Sequence, residues 1–276
     1  MKIAGEIVSN QFTSQLNQTE ELSRPISILP RTLLDEQNKS ERIARRIARS
    51  GLCSRREAEN WIANGRIKLN GEILNTPAIT VTKHSEIMVD DKPLAQIDRT
   101  RLWLYHKVPG TITTNCDPQG RRTVFDAMPK DMPRTIAVGR LDINSEGLLI
   151  LTNNGSLARY LALPSTGLKR TYRARVFGKI DNNALARLKQ GICIDGFTYR
   201  AFNVNIDRLL NCNSWLTINI KEGKNREIRR VMKHLGLSVN RLLRISYGPF
   251  RLGNILPEQT KEIDTKLLNS LLKLKL

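Results

Sequence analysis

Asn70-Gly71, set between Ile67-Lys68-Leu69 and Glu72-Ile73-Leu74, constrains this chain more than any other dipeptide in it. A two-residue hairpin loop needs positive φ at both positions, which Asn and Gly tolerate, and the flanking segments alternate as paired strands must. The chain before the hairpin is equally legible. Ile43, Ala44, Ile47 and Ala48 fall on one face of a helix whose other positions are mostly arginine. Ser50-Gly51 stops that helix. Ser54-Arg55-Arg56-Glu57 then spells a capping box that opens a second one, with Ala58, Trp61 and Ile62 as its apolar face and Gly65 at its end. Residues 79–81 and 87–89 read as further short strands. The pattern predicts a small helix–helix–strand unit over residues 40–94.

Charge says what such a unit meets. The chain carries 45 Lys and Arg against 26 Asp and Glu, a formal +19. An excess of that size costs self-repulsion and points to a polyanion. It is not spread evenly. Residues 39–68 hold nine Lys and Arg against three Glu, whereas residues 1–38 hold three against five acids. The candidate phosphate contacts are Arg42, Arg45, Arg46, Arg49, Arg55, Arg56, Arg66 and Lys68, because guanidinium groups present a planar fork of donors to phosphate.

Other classes fall away. No run approaches the roughly 18 apolar residues of a membrane span, and the N-terminus has no leader-like apolar region. Cys53, Cys116, Cys193 and Cys212 are scattered, with neither zinc nor disulfide spacing. A reduced, cytoplasmic protein with no membrane partner is expected. Nothing in the pattern demands more than a monomer.

Residues 1–39 read as a polar, disordered tail. A linker with Pro93 and alternating charge is expected over residues 92–101, its core at 95–101, and a second domain over residues 102–276. Strands are expected at 102–108, 135–138, 148–151, 171–177 and 215–220. Helices are expected at 156–162, 182–189, 225–235 and 258–274. Strands outnumber helices and do not alternate with them, which predicts an α+β fold with a mixed, largely antiparallel sheet.

Three segments of the second domain carry candidate chemistry. Val138-Gly139-Arg140-Leu141-Asp142 runs from a strand into a turn that presents an acid, and Gly147 turns the chain back into an apolar strand. Asp142 in such a loop is either a catalytic carboxylate or a turn residue. The segment from Lys169 to Gly178 places Tyr172, Ala174 and Val176 on one strand face and Arg173, Arg175 and Phe177 on the other. The third segment, Glu222-Gly223-Lys224-Asn225-Arg226-Glu227-Ile228-Arg229-Arg230, opens an amphipathic helix. Its apolar stripe is Ile228, Val231, Met232 and Leu235, and Arg226, Arg229, Arg230 and Lys233 form a cationic one.

Arg42-Ile43, Ile47-Ala48, Ser54-Arg55-Arg56-Glu57-Ala58 and Leu69-Asn70-Gly71 make residues 40–94 similar to the S-four RNA-binding domain. Gly139-Arg140-Leu141-Asp142, Gly147-Leu148-Leu149, and the segment from Glu222 to Arg230 make residues 102–257 resemble the pseudouridine synthases of the RsuA and RluB group. Asp117-Pro118-Gln119-Gly120-Arg121 and Arg175-Val176-Phe177-Gly178 lean toward the RluB branch. The resemblance implies isomerisation of a uridine in ribosomal RNA, of the large subunit by that branch, without metal or organic cofactor. It implies Asp142 as catalytic carboxylate, Tyr172 as active-site tyrosine and Arg229 as the basic partner. Arg140, Arg226 and Arg230 would hold RNA phosphates, and ribosomal RNA or a pre-ribosomal subunit would be the partner. Ser145, Asn154, Leu163-Pro164-Ser165 and Lys107-Val108-Pro109-Gly110 depart from the group's usual residues. A non-catalytic ribosome-assembly factor on the same scaffold is the alternative, and a DNA-binding regulator a weaker third.

Overall fold

The computed structural model describes residues 40–210 and 212–271. The tail expected over 1–39 lies outside them. The first elements are β1 (Glu41–Arg42), α1 (Ile43–Arg49), α2 (Arg55–Ala63), β2 (Ile67–Leu69), β3 (Glu72–Ile73), β4 (Thr80–Val81), β5 (Ile87–Val89) and β6 (Lys92–Pro93). The Ser54 hydroxyl accepts the Glu57 amide and the Glu57 carboxylate accepts the Ser54 amide, so the capping box is complete. Asn70 and Gly71 both take positive φ, 51° and 90°. Ile43, Ile47, Ala58, Ile62 and Ile67 close a core belonging to this unit. The strand order is β3-β2-β5-β6, all antiparallel, and β1 pairs with β4. The linker therefore does not start at Lys92. Lys92–Pro93 pairs with β5, and Pro93 is tolerated because β6 is an edge strand, where one face of the ladder needs no donor.

The second unit contains β7 (Leu102–Lys107), β8 (Ile136–Ala137), β9 (Glu146–Thr152), α3 (Gly155–Ala162), β10 (Arg170–Phe177), α4 (Asn182–Arg187), β11 (Ile192–Ile194), β12 (Phe197–Tyr199), β13 (Asn203–Arg208), β14 (Asn213–Ile220), α5 (Glu227–His234), β15 (Ser238–Tyr247), β16 (Phe250–Arg251), β17 (Thr260–Glu262) and α6 (Thr265–Leu271). Its large sheet runs β13-β14-β10-β15-β9-β7-β17. Every pairing in it is antiparallel except β9 with β15, which is parallel and joins Glu146 to Leu243 and Gly147 to Arg244. The expected α+β architecture with a mixed, largely antiparallel sheet is what forms.

β9 is buried along its whole length, because apolar clusters cover both faces of the sheet there. β10 and β14 alternate instead, which is the mark of one covered face. One expected element is different. The helix read over residues 258–274 is a turn and then β17 up to Glu262, and only Thr265–Leu271 is helical among the described residues. Edge pairing of β17 with β7 captures a segment whose local pattern also suits a helix.

Candidate active site

Asp142 sits in the loop between β8 and β9, and that loop is held from below. The Thr113 hydroxyl donates to the Leu141 carbonyl at 3.1 Å, the Gly110 amide donates to the Ile143 carbonyl at 2.8 Å, and the Ser145 amide closes a turn onto the Asp142 carbonyl at 3.0 Å. Lys107, at the end of β7, is fully buried beneath it. Its ammonium donates to the carbonyls of Ser145 (2.8 Å), Val108 (3.1 Å) and Ile143 (3.3 Å). Burial pushes the Lys107 amine down to about 8, while Asp142 and Glu146 pull the other way. The loop then returns through Gly147, at φ +98°, where a Cβ would stand 2.4 Å from the Arg244 carbonyl oxygen. Only glycine permits β9 to lie this close to β15.

A cavity of about 340 Å³ opens over this loop. Asp142, Tyr172 and Arg229, far apart in the chain, all line it. Tyr172 is buried on the inward face of β10, as the alternation of that strand requires. Arg229 belongs to α5 but does not stand in a free cationic ridge. Its guanidinium donates to the Val239 carbonyl (2.6 Å) and to the carbonyl of Asn144 (2.9 Å), two residues from Asp142. Burial and the neighbouring Arg226 weaken its hold on its proton, and Asp142 strengthens it. Asp142 and Arg229 thus share a cavity and an electrostatic interaction without a direct hydrogen bond.

Arg226 precedes α5 in the left-handed region, φ 50°, and is exposed at the cavity rim. Arg140 is exposed and lines the cavity as well. Arg230 is exposed too, but lies over the Phe197 ring, 5.8 Å from its centroid, and is not part of the cavity wall. A second cavity of about 450 Å³ adjoins the first and shares Arg140 and Asp142 with it. Asp117 and Arg121 stand on its wall, joined by a two-pronged ion pair at 2.8 and 3.0 Å, so the Asp-Pro-Gln-Gly-Arg segment reaches the edge of the site.

Three residues that the sequence did not single out complete the floor. Arg170 donates to the Tyr247 hydroxyl at 2.8 Å, and Tyr247 in turn donates to the Leu161 carbonyl. Arg244, on β15, is 2% exposed. It donates through Nε to the Leu148 carbonyl at 2.7 Å, and its Nη2 has no hydrogen-bond partner among the described residues. Both guanidiniums flank the Tyr247 ring, at 4.8 and 5.1 Å.

The N-terminal basic residues divide in two. Arg45 and Arg49 are drawn onto Glu41, Arg66 onto Asp90 and Lys68 onto Asp91. Arg45 also donates to the Ser156 hydroxyl at the start of α3, at 2.8 Å. Arg42, Arg55 and Arg56 are exposed and Arg46 is half-buried, and none of the four has an ion-pair partner among the described residues. Among the described residues no group of three or more His, Cys, Asp or Glu side chains is placed to hold a metal ion, and no helix is long and apolar enough to cross a membrane.

Comparison with known proteins agrees with this layout. The family model for RNA pseudouridylate synthase matches residues 101–234, and that for the S4 domain matches residues 41–87. An uncharacterized RNA pseudouridine synthase of Rickettsia bellii is 44% identical over 227 residues, covering 82% of this chain and 98% of the relative. Ribosomal large subunit pseudouridine synthase B of Haemophilus influenzae is 38% identical over 242 residues, covering 85% of this chain and 68% of the relative. A crystal structure of a pseudouridylate synthase superposes with a TM-score of 0.59 at 22% identity, covering 83% of this chain and 99% of that one, which is a likeness of fold.

Proposed function

The chain belongs to the RNA pseudouridine synthase family, and from that premise we propose that it converts a specific uridine of ribosomal RNA, in the large subunit, to pseudouridine, with Asp142 as the catalytic carboxylate. The observation that carries this reading is the convergence of Asp142, Tyr172 and Arg229 on one cavity. The large-subunit target is supported by relatives of that printed name at 36–38% identity.

The reaction breaks the bond from N1 of uracil to C1′ of the ribose, turns the base, and joins C5 to C1′. The proton lost from C5 balances the one gained at N1, so no oxidant or reductant is consumed. Asp142 acts ionised, as nucleophile or base. Tyr172 lies flat against the uracil, and its hydroxyl assists removal of the C5 proton. Arg229 keeps the loop of Asp142 in place through Asn144 and keeps positive charge near the carboxylate. The uridine must leave its stack to enter, at a cost of a few kcal/mol. Phosphate contacts from Arg140, Arg226 and Arg230 offset that cost and set position, not sequence.

Residues 40–94 form the RNA-binding domain in this reading, with Arg42, Arg46, Arg55 and Arg56, which have no ion-pair partner among the described residues, as its foremost phosphate contacts. Residues 95–101 connect it to the catalytic domain. The protein works as a monomer in the cytoplasm, on ribosomal RNA or a pre-ribosomal subunit. The test is chemical mapping of pseudouridine in ribosomal RNA from cells with and without the gene, repeated with Asp142→Asn. Loss of one large-subunit site in both the deletion and the variant is expected. An unchanged map would overturn the enzymatic reading in favour of an assembly factor.

A further inference from the structure

The turn that delivers Asn225 and Arg226 to the cavity has an unusual anchor. Arg226 is the residue before α5, yet its side chain caps nothing. The neighbouring Glu227 does this work from inside the helix. Its Oε2 accepts the Lys224 amide at 3.0 Å, and its own amide donates to the Lys224 carbonyl at 3.3 Å. Glu227 is 3% exposed, and Glu222 on the other limb of the turn is 6% exposed. Glu222 is the acid that faces Glu227, and a hydrogen bond between the two carboxyl groups needs a proton on one of them.

Two carboxylates cannot make that bond, because neither has a donor. The remaining contacts decide where the proton is. Glu222 is rich in donors: the Arg200 amide at 2.6 Å and the Lys224 ammonium at 3.3 Å. Glu227 Oε1, by contrast, is buried and meets no donor. An ionised Glu227 would leave that oxygen's charge unsatisfied in the interior. With the proton on Oε1, that oxygen carries no unsatisfied charge and becomes a donor toward Glu222.

We propose that Glu227 is a positioning residue that acts as a neutral acid, its proton bridging to Glu222 and locking the Glu222-to-Arg226 turn so that Asn225 and Arg226 face the RNA. This rests on the synthase reading for its effect on activity. The charged groups that face Glu227 are Glu222 and Lys224. Burial, and then Glu222, raise its carboxyl from the ordinary 4.5 to about 8. Burial raises Glu222 too, but its bonds from Glu227, the Arg200 amide and Lys224 outweigh that and leave it below its ordinary value. The folded chain keeps a proton that the unfolded chain releases above pH 4.5, so the lock weakens as pH rises toward and through about 8.

Two measurements on the full-length protein test this. In protein carrying glutamate labelled with carbon-13 at the side-chain carboxyl, one resonance titrates near pH 8 and is absent from Glu227→Gln. If every glutamate finishes titrating in the ordinary carboxylate range, the proposal fails. In the activity assay Glu227→Gln, which keeps a donor and an acceptor but cannot ionise, retains most of the rate at pH 7 and outlasts the wild type above pH 8. Glu227→Ala loses about a hundredfold in kcat/KM, the scale of a small misplacement of binding groups. A Gln variant as impaired as the Ala variant, or one with the wild-type pH profile, would overturn it. Wild-type protein that makes no pseudouridine would sink the functional reading alone, since the titration is read without turnover.

Discussion

Tyr172 and Arg244 are direct partners across the β10–β15 ladder, and both face the cavity of Asp142. A guanidinium that is 2% exposed, with no acid bonded to it among the described residues, sits beside the tyrosine that the uracil would meet. Charge kept in the interior without a counter-ion is costly and is retained where something else uses it. Arg244→Met is therefore expected to lose activity by about a hundredfold or more, while unfolding free energy changes by no more than about 1–2 kcal/mol, because relief of a buried charge offsets the lost bond to Leu148. Paired urea titrations and turnover assays check this. A variant that unfolds readily and whose residual folded fraction is fully active would refute it.

Gly147→Ala places a methyl group against the Arg244 backbone in a residue already at positive φ. Neither strand can yield without breaking the parallel pairing. The expected loss is at least about 3 kcal/mol, with activity falling too as the Asp142 loop moves. Gly139→Ala is the control. Its φ is +68°, but nothing lies within 4 Å of the added carbon, so it costs about 1 kcal/mol. Thermal melts that rank the two equally would count against this account.

Lys107 makes stability depend on pH in an identifiable window. Its amine falls from the ordinary 10.5 to about 8 on folding. Between those values the unfolded chain holds a proton that the folded chain has released, so the stability contribution of this residue rises with pH there. Lys107→Met removes that rise. It also strips the donor from the buried Ser145 carbonyl and the half-buried carbonyls of Val108 and Ile143, and is expected to cost about 2–4 kcal/mol at pH 7. Denaturation curves from pH 7 to 10.5 should diverge between the two proteins, and parallel curves would be evidence against it.

The arginines of the N-terminal unit should differ in their effect on RNA binding. Arg42→Ala and Arg56→Ala each remove an exposed charge with no acid bound to it among the described residues and should lower the slope of log affinity against log salt by about 1. Arg66 is held by Asp90 and lies 4.6 Å above the Trp61 ring, so Arg66→Ala should change the slope less. Fluorescence anisotropy over a salt series separates these outcomes, and equal slopes for all three variants would contradict the division.

The legibility of this chain follows the range of the interactions that shape it. Ser54 with Glu57 and Asn70 with Gly71 are local devices, so the sequence alone places them, and the structure keeps them. Tyr172 and its alternating strand were equally readable, because one covered face leaves a period of two. β15 was not. Arg241 and Arg244 interrupt its apolar alternation, and their places become intelligible only beside β9, where Arg241 meets Glu146 and Arg244 meets the Leu148 carbonyl. With β15 unread, Arg244 and Tyr247 were unread as well. Glu227 stands in the segment that opens α5, and its burial beside Glu222 follows from the folded turn, which no local spacing shows.

The parallel contact between β9 and β15 spans two residue pairs and joins parts of the chain roughly a hundred positions apart. It is the seam of the large sheet. β7, β9 and β17 lie on one side with the Asp142 loop, and β10, β13 and β14 lie on the other with Tyr172. β10, β13 and β14 pair over shorter separations, as do β7 and β9, and only the β17 edge reaches farther; the cavity exists only when the seam closes. Long-range closure is the slow kind. During refolding, native sheet signal should accordingly appear before catalytic competence, and the lag between them times the closing of that seam.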